Sequence, residues 1–220
     1  MFIELVDQLR CVRAHEDSWL VAASRRMSGR HIVDGELGCP VCEARYPVRA
    51  AVADFRTDGV APAAAASASV AGDPVPDAEA AMRLAALLAL DEVRAPVVLV
   101  GAWGALAPLL LAMAPAVYLV VNPPAPMDER PEISALLAAG ALPLAAGAAH
   151  GVALDVAAAA DDGLVAGAVR ALRGGGRLVA PSSAPLPPGV RELARDERHW
   201  VAERDAAASA PVALRRAPPG

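Results

Sequence analysis

The chain has 220 residues, a formal net charge of −5 and a pI of about 5.4. That length allows one large domain or two small ones, and the acidic balance argues against non-specific nucleic-acid binding by the chain as a whole. Hydrophobic residues make up 55% and aromatics only 3%, so a core is affordable but must be built from small side chains, and three cysteines are too few for a disulfide scaffold.

Taken in chain order, residues 2–9 read as one short amphipathic helix leading to Cys11. Glu4 and Asp7 interrupt its apolar run, which is unlike a signal peptide. Trp19-Leu20-Val21-Ala22 reads as a strand and residues 25–30 as a polar turn. Ile32-Val33 resumes an apolar run that Asp34-Gly35 interrupts, and residues 46–48 and 52–55 read as short extended pieces. So few apolar residues make no convincing core, and a bound metal would supply the missing stability. Residues 58–76 are rich in Ala, Pro, Ser and Gly and read as a linker. The organisation expected is therefore a unit over 1–57, the linker, and a second unit over 77–220.

The second unit alternates. Residues 77–90 are helical by composition, 97–101 a buried-type strand, 105–113 a helix and 117–121 a strand. Pro131 opens an expected helix to residue 139. Residues 142–145 are a weak strand, 152–155 a better one, and 161–172 a helix ending at Gly174-Gly175-Gly176. Residues 177–180 read as a strand and 192–195 as a short helix. Residues 199–203 and 211–214 are expected to pair as a terminal antiparallel hairpin. Repeated strand–helix units mean an α/β fold with a doubly wound sheet. Residues 95–127 contain no charged side chain, long enough to cross a bilayer. Pro96, Pro108, Pro115 and Pro123-Pro124 punctuate that run, and a helix between two buried parallel strands gives the same hydropathy.

The chemistry begins at Gly38-Cys39-Pro40-Val41-Cys42. A Cys-x2-Cys turn lets both thiolates reach one metal, and four ligands close a structural zinc site. Cys11 and His15 supply a second arm, giving a Cys3His set of Cys11, His15, Cys39 and Cys42. His31 competes as fourth ligand, and a redox pair or two buried thiols are the bland alternatives. The odd cysteine count suits metal in a reducing, cytoplasmic compartment.

Leu9-Arg10-Cys11 and Leu37-Gly38-Cys39-Pro40-Val41-Cys42, followed by Tyr46-Pro47-Val48, resemble the short zinc-ribbon family that partners and activates methyltransferases. The first arm departs from that family's usual Cys-Pro-x-Cys by offering Cys-x3-His. From residue 77 onward the chain resembles a class I S-adenosylmethionine-dependent methyltransferase domain, with a Rossmann-like sheet and a terminal antiparallel hairpin. The segment from Leu142-Pro143 through Leu172-Arg173-Gly174-Gly175-Gly176-Arg177-Leu178-Val179 carries that likeness best.

The resemblance implies a cofactor at the end of the first strand of that unit, where Gly101-Ala102-Trp103-Gly104-Ala105 stands. Trp103 replaces the middle glycine, Asn122 replaces the acid expected after the second strand, and residues 145–149 offer no acid near the third. Gly101, Gly104, Asn122 and Asp155 are the candidate cofactor contacts. The expectation is a zinc-binding scaffold with a degenerate methyltransferase-like domain and a protein partner. The alternatives are an active S-adenosylmethionine-dependent methyltransferase stabilised by its own ribbon, or an accessory subunit of a membrane complex. Asn122-Pro123-Pro124 reads as a turn, and Arg25, Arg26 and Arg30 as a solvated cluster too small to argue for RNA. No nucleophile elbow, P-loop or His-Glu-x-x-His motif is present.

Overall fold

The structure, a computed structural model, describes residues 1–56, 76–91, 93, 95–126 and 130–205. The elements are a 3-10 turn Ile3–Gln8, β1 (Val21–Ser28), β2 (His31–Gly38), β3 (Arg45–Arg49), β4 (Val52–Asp54), α1 (Ala78–Leu88), β5 (Val97–Val100), a 3-10 turn Gly101–Leu106, α2 (Ala107–Met113), β6 (Tyr118–Val121), β7 (Ile133–Leu137), β8 (Ala149–Ala153), α3 (Val156–Ala159), α4 (Asp162–Ala171), β9 (Leu172–Pro181), β10 (Val190–Arg195) and β11 (His199–Arg204).

All the strands join one 11-stranded sheet in the order β1-β2-β3-β4-β7-β6-β5-β8-β9-β11-β10. The middle is doubly wound. β7, β6, β5, β8 and β9 run parallel, and the chain winds first to one side of β5 and then to the other. The reversal between β5 and β8 is a topological switch point. β11 closes the far side antiparallel to β9, and β10 pairs antiparallel with β11.

The short apolar runs form strands because both faces are covered. Every residue of β5, β6 and β8 is buried. Their side chains alternate between two cores. Val98, Val100, Leu119, Val121 and Val152 face a layer containing α4 and the N-terminal unit. Val97, Leu99, Tyr118, Val120 and Ala153 face the layer of α1 and α2. The charge-free run 95–121 is thus accounted for by β5, a helical crossover and β6, and among the described residues no helix is long and apolar enough to cross a membrane.

The N-terminal unit is an antiparallel meander, β1 to β4, whose last strand adds in parallel to β7. Further bonds tie it down. Phe2 donates its amide to Ser134 Oγ at 2.9 Å, Arg10 to the Pro143 carbonyl at 3.0 Å, and Ala145 to the Gln8 carbonyl at 2.8 Å. Phe55, 1% exposed, stacks on Tyr46 with ring centroids 4.5 Å apart. Leu5, Leu9, Leu37 and Phe55 share one core with Leu136, Leu142 and Leu144. The unit poor in apolar residues borrows its core from the sheet beside it.

Several elements differ from the sequence expectation. The expected helix over 131–139 is absent, and Ile133–Leu137 form strand β7 instead. Their Leu/Ala composition favours helix, but the segment is bonded on both sides, by β4 and β6, and burial overrides a weak propensity. Residues 192–195 lie in β10 rather than a helix, because pairing with β11 satisfies their backbone. The expected turn at 25–30 is mostly strand: β1 continues to Ser28, with a bulge near Arg25, and the reversal is Gly29-Arg30. Residues 2–9 make a 3-10 turn, and 142–145 a loop with a single bridge, Leu9 to Leu144. The hairpin partner of β11 is β10; residues 211–214 lie outside the described residues, as does the linker 58–76 apart from Pro76.

Candidate metal centre and switch-point site

The loop after Leu9 and the loop between β2 and β3 bring four ligand atoms together. Those of Cys11, His15, Cys39 and Cys42 all lie within 4.8 Å of one another. Cys11 Sγ is 3.6 Å from Cys42 Sγ, and Cys39 Sγ is 3.4 Å from His15 Nε2. With Zn–S near 2.3 Å and Zn–N near 2.0 Å, a tetrahedron needs S···S of about 3.8 Å and S···N of about 3.5 Å. The sulfurs are far beyond disulfide length, and all three cysteines are free. The cluster fits zinc with no position left open, which is the donor set of a structural rather than a catalytic site.

The surroundings support it. The Cys39 amide bonds to the Ala44 carbonyl and the Glu43 amide returns to the Cys39 carbonyl, closing the turn, with Glu43 at φ 58°. Burial raises the Cys39 thiol, but the backbone amides of Cys42 and Val41, with the Cys42 and Cys11 thiols, outweigh it and bring the pKa down to about 6. Burial raises the Cys11 thiol, partly offset by the Tyr46 hydroxyl 3.0 Å away. The His15 Nδ1 lies 2.6 Å from the Glu16 carbonyl, which leaves Nε2 as the ligand. Sequence reasoning missed Tyr46 as a second-layer partner, although it stands in the very motif that follows the knuckle. His31 is not in the cluster; its ring packs on Phe2, centroids 5.4 Å apart.

At the switch point the four remaining candidates sit at or just beyond the carboxyl ends of β5, β6 and β8. Gly101 has φ +63°, and a Cβ there would stand 1.8 Å from Asp155 Oδ2. Asp155 is 5% exposed, and its carboxylate accepts from the Ala102 amide at 2.9 Å and from the Ala158 amide at 2.8 Å. It therefore caps α3 and bridges to the turn after β5. Trp103 is buried and donates its indole N–H to the Leu154 carbonyl at 3.0 Å. Gly104 packs on Val120 and Pro124, where a Cβ would meet Val120 Cγ1 at 2.4 Å. Asn122, at φ 54°, spends both ends of its amide on Ala138: Nδ2 donates to the carbonyl and Oδ1 accepts from the amide, each at 2.9 Å. Gly101 and Asp155 are in direct contact, while Gly104 and Asn122 are engaged with their own neighbours.

No family model and no curated protein matches the chain. Solved structures do. The antibiotic-resistance methyltransferase Kmr is 18% identical, with 58% of this chain and 93% of that one aligned at a TM-score of 0.41. A Corynebacterium glutamicum protein is 16% identical over 63% of this chain and 86% of its own, TM-score 0.45. The glycopeptide N-methyltransferase MtfA, solved with S-adenosyl-L-homocysteine, is 17% identical over 70% and 64%, TM-score 0.36. The fold is α/β, with a doubly wound, Rossmann-like sheet and a Cys/His cluster in its N-terminal unit. Scores this low add nothing to the strand order about what the protein does.

Proposed function

We propose that the chain is a non-catalytic, zinc-stabilised scaffold whose methyltransferase-like sheet serves as a surface for a protein partner. The observation that carries this reading is the Asp155 carboxylate seated against Gly101. In open α/β sheets a ligand enters at the switch point, through a glycine turn that lets it approach the backbone. Here a protein side chain holds that approach, bonded to the Ala102 amide, and Trp103 is buried beside it. Asn122, the residue expected to meet a ribose, is bonded at both ends to Ala138. The Cys3His cluster, with no open coordination position, fits a zinc-ribbon role that is structural and not catalytic.

Calorimetric titration with S-adenosylmethionine tests the reading. No saturable heat is expected up to millimolar cofactor, and a stable stoichiometric partner is expected in a pull-down. Micromolar binding, weakened by Asp155→Ala, would instead establish the active methyltransferase with Gly101, Gly104, Asn122 and Asp155 as cofactor contacts.

A further inference from the structure

A cleft lies at the opposite end of the parallel strands from the switch point, at the amino ends of β8 and β9 where α1 finishes. It has a volume of about 370 Å³ and is walled by Asp91, His150, Arg173, Gly175, Arg177 and Glu203. Its chemistry is cationic at the base. Arg173 donates from Nη2 to His150 Nδ1 at 3.0 Å, and His150 Nε2 meets the Ala89 carbonyl at 3.1 Å. The imidazole is thereby held between the Arg173 guanidinium and the Ala89 carbonyl. Arg177 donates from Nη1 to the Ala86 and Leu87 carbonyls at the end of α1. Among the described residues neither arginine is ion-paired with a carboxylate. Glu203 is engaged by Arg191 at 3.3 Å.

One atom is left over. Arg173 Nε is buried and has no hydrogen-bond partner. A buried guanidinium N–H without an acceptor is costly, and the acceptor that suits the edge of a guanidinium is an oxyanion. Beside it Gly174-Gly175-Gly176, expected from the sequence to be a turn after the helix, lie within β9 where its register against β8 shifts; Gly175 has φ +73°, and a Cβ there would meet nothing within 4 Å. Gly176 has no such freedom, since a Cβ there would come within 2.9 Å of the His150 carbonyl. A glycine bulge beside two arginine forks that no carboxylate occupies suits a phosphate better than a carboxylate, because a phosphate presents three acceptor oxygens to several guanidinium donors at once, even though Glu203 stands opposite Arg177 across β9 and β11. Asp91 opposes a bare phosphate. It is exposed, lacks a partner among the described residues, and is an acceptor for a hydroxyl.

The geometry points to a binding site for the phosphate monoester of a small polyol, such as a sugar phosphate, with the phosphate on Arg173 and Arg177 and a hydroxyl on Asp91. The cleft volume is in the range of small-molecule sites. The site is independent of the switch point, which lies at the other ends of the strands.

Calorimetry of the full chain with ribose 5-phosphate and with inorganic phosphate tests it. Both bind the wild-type protein, the sugar phosphate more tightly. Arg173→Gln weakens both by roughly tenfold or more, the loss expected for a hydrogen bond to a charged group. Asp91→Asn, at an exposed position, separates the two arms: it tightens inorganic phosphate and narrows the advantage of the sugar phosphate. Absence of saturable binding by either probe, or equal binding by wild type and Arg173→Gln, overturns the site. An Asp91→Asn protein that binds both probes as the wild type does overturns the assignment of the hydroxyl to Asp91.

Discussion

Tyr46 shows how far the Cys/His cluster depends on a residue outside it. Its hydroxyl is 3.0 Å from Cys11 Sγ and also accepts from the Val12 amide at 3.3 Å, while its ring stacks on Phe55. Tyr46→Phe keeps the stack and removes the O–H···S bond. It is expected to weaken zinc about 10-fold, at the lower end of what outer-layer losses cost, in competition with a chromophoric chelator. Cys39→Ser removes a ligand outright, and about one zinc per chain by metal analysis should fall towards none. Asp155 and Gly101 form the other informative pair. Asp155→Ala strips a cap from α3 and orphans the Ala102 amide, which should cost about 2–3 kcal/mol in a denaturant titration. Gly101→Ala alone forces a Cβ onto the Asp155 carboxylate, so it should be strongly destabilising. In the Asp155→Ala background the same change should cost clearly less, and additive costs in that cycle would show that the carboxylate does not fill the turn. At this scale the sequence was informative where chemistry imposes spacing. Cys-x2-Cys and Cys-x3-His identify the four residues that the fold assembles. It was silent on Asp155 meeting Gly101, because 54 positions of chain separate them and only the parallel pairing of β5 with β8 makes them neighbours.

Single elements carried mixed signals. β5 and β6 were legible because four consecutive apolar, mostly β-branched residues bounded by Gly or Asn suit a strand covered on both faces. β7 and β10 were not. Ile133-Ser134-Ala135-Leu136-Leu137 and the Arg- and Glu-bearing β10 both favour helix locally, and only the neighbouring strands decide otherwise. β11 makes a testable case of element packing. His199, at its first position, is buried with its ring 5.1 Å from that of Trp103. Burial lowers its pKa from the ordinary 6.5, Asp196 opposes that, and Arg83 and Arg198 reinforce it. A group whose folded pKa is depressed contributes stability above the unfolded value that is lost as pH falls through the folded one. Thermal stability attributable to His199 should therefore be complete above pH 6.5 and decline below it. The measurement is the difference in Tm between wild type and His199→Leu across pH 8 to 5. The zinc ligands and other titrating groups are common to both proteins and cancel. A difference that does not change across that range would reject the role of His199.

On the scale of the whole molecule, the sheet is continuous from the N-terminal meander to the last hairpin. The composition of residues 1–57 predicts a unit too poor in apolar side chains to stand alone, and the fold answers by pairing β4 with β7 and by pooling Leu5, Leu9 and Phe55 with Leu136 and Leu144. What the sequence could not disclose is that parallel pairing. No local pattern marks a three-residue strand such as Val52–Asp54 as an extension of a sheet more than 70 residues away. The pairing has a mechanical consequence. A metal on the Cys/His cluster would hold the loop after Leu9 to the loop between β2 and β3, those strands hold β4, and β4 covers an edge of β7 that would otherwise expose unpaired backbone groups. Zinc removal is then felt beyond the ribbon. Unfolding followed by calorimetry should show a single transition that moves down in temperature when a strong chelator is added. Near-ultraviolet circular dichroism from buried Trp103, in the turn after β5, and Trp200, on β11, should be lost in step with it. If chelation instead melts a separate early transition while the tryptophan signal holds its original midpoint, the zinc unit is an appendage and the shared strand pair contributes little to the stability of the remainder.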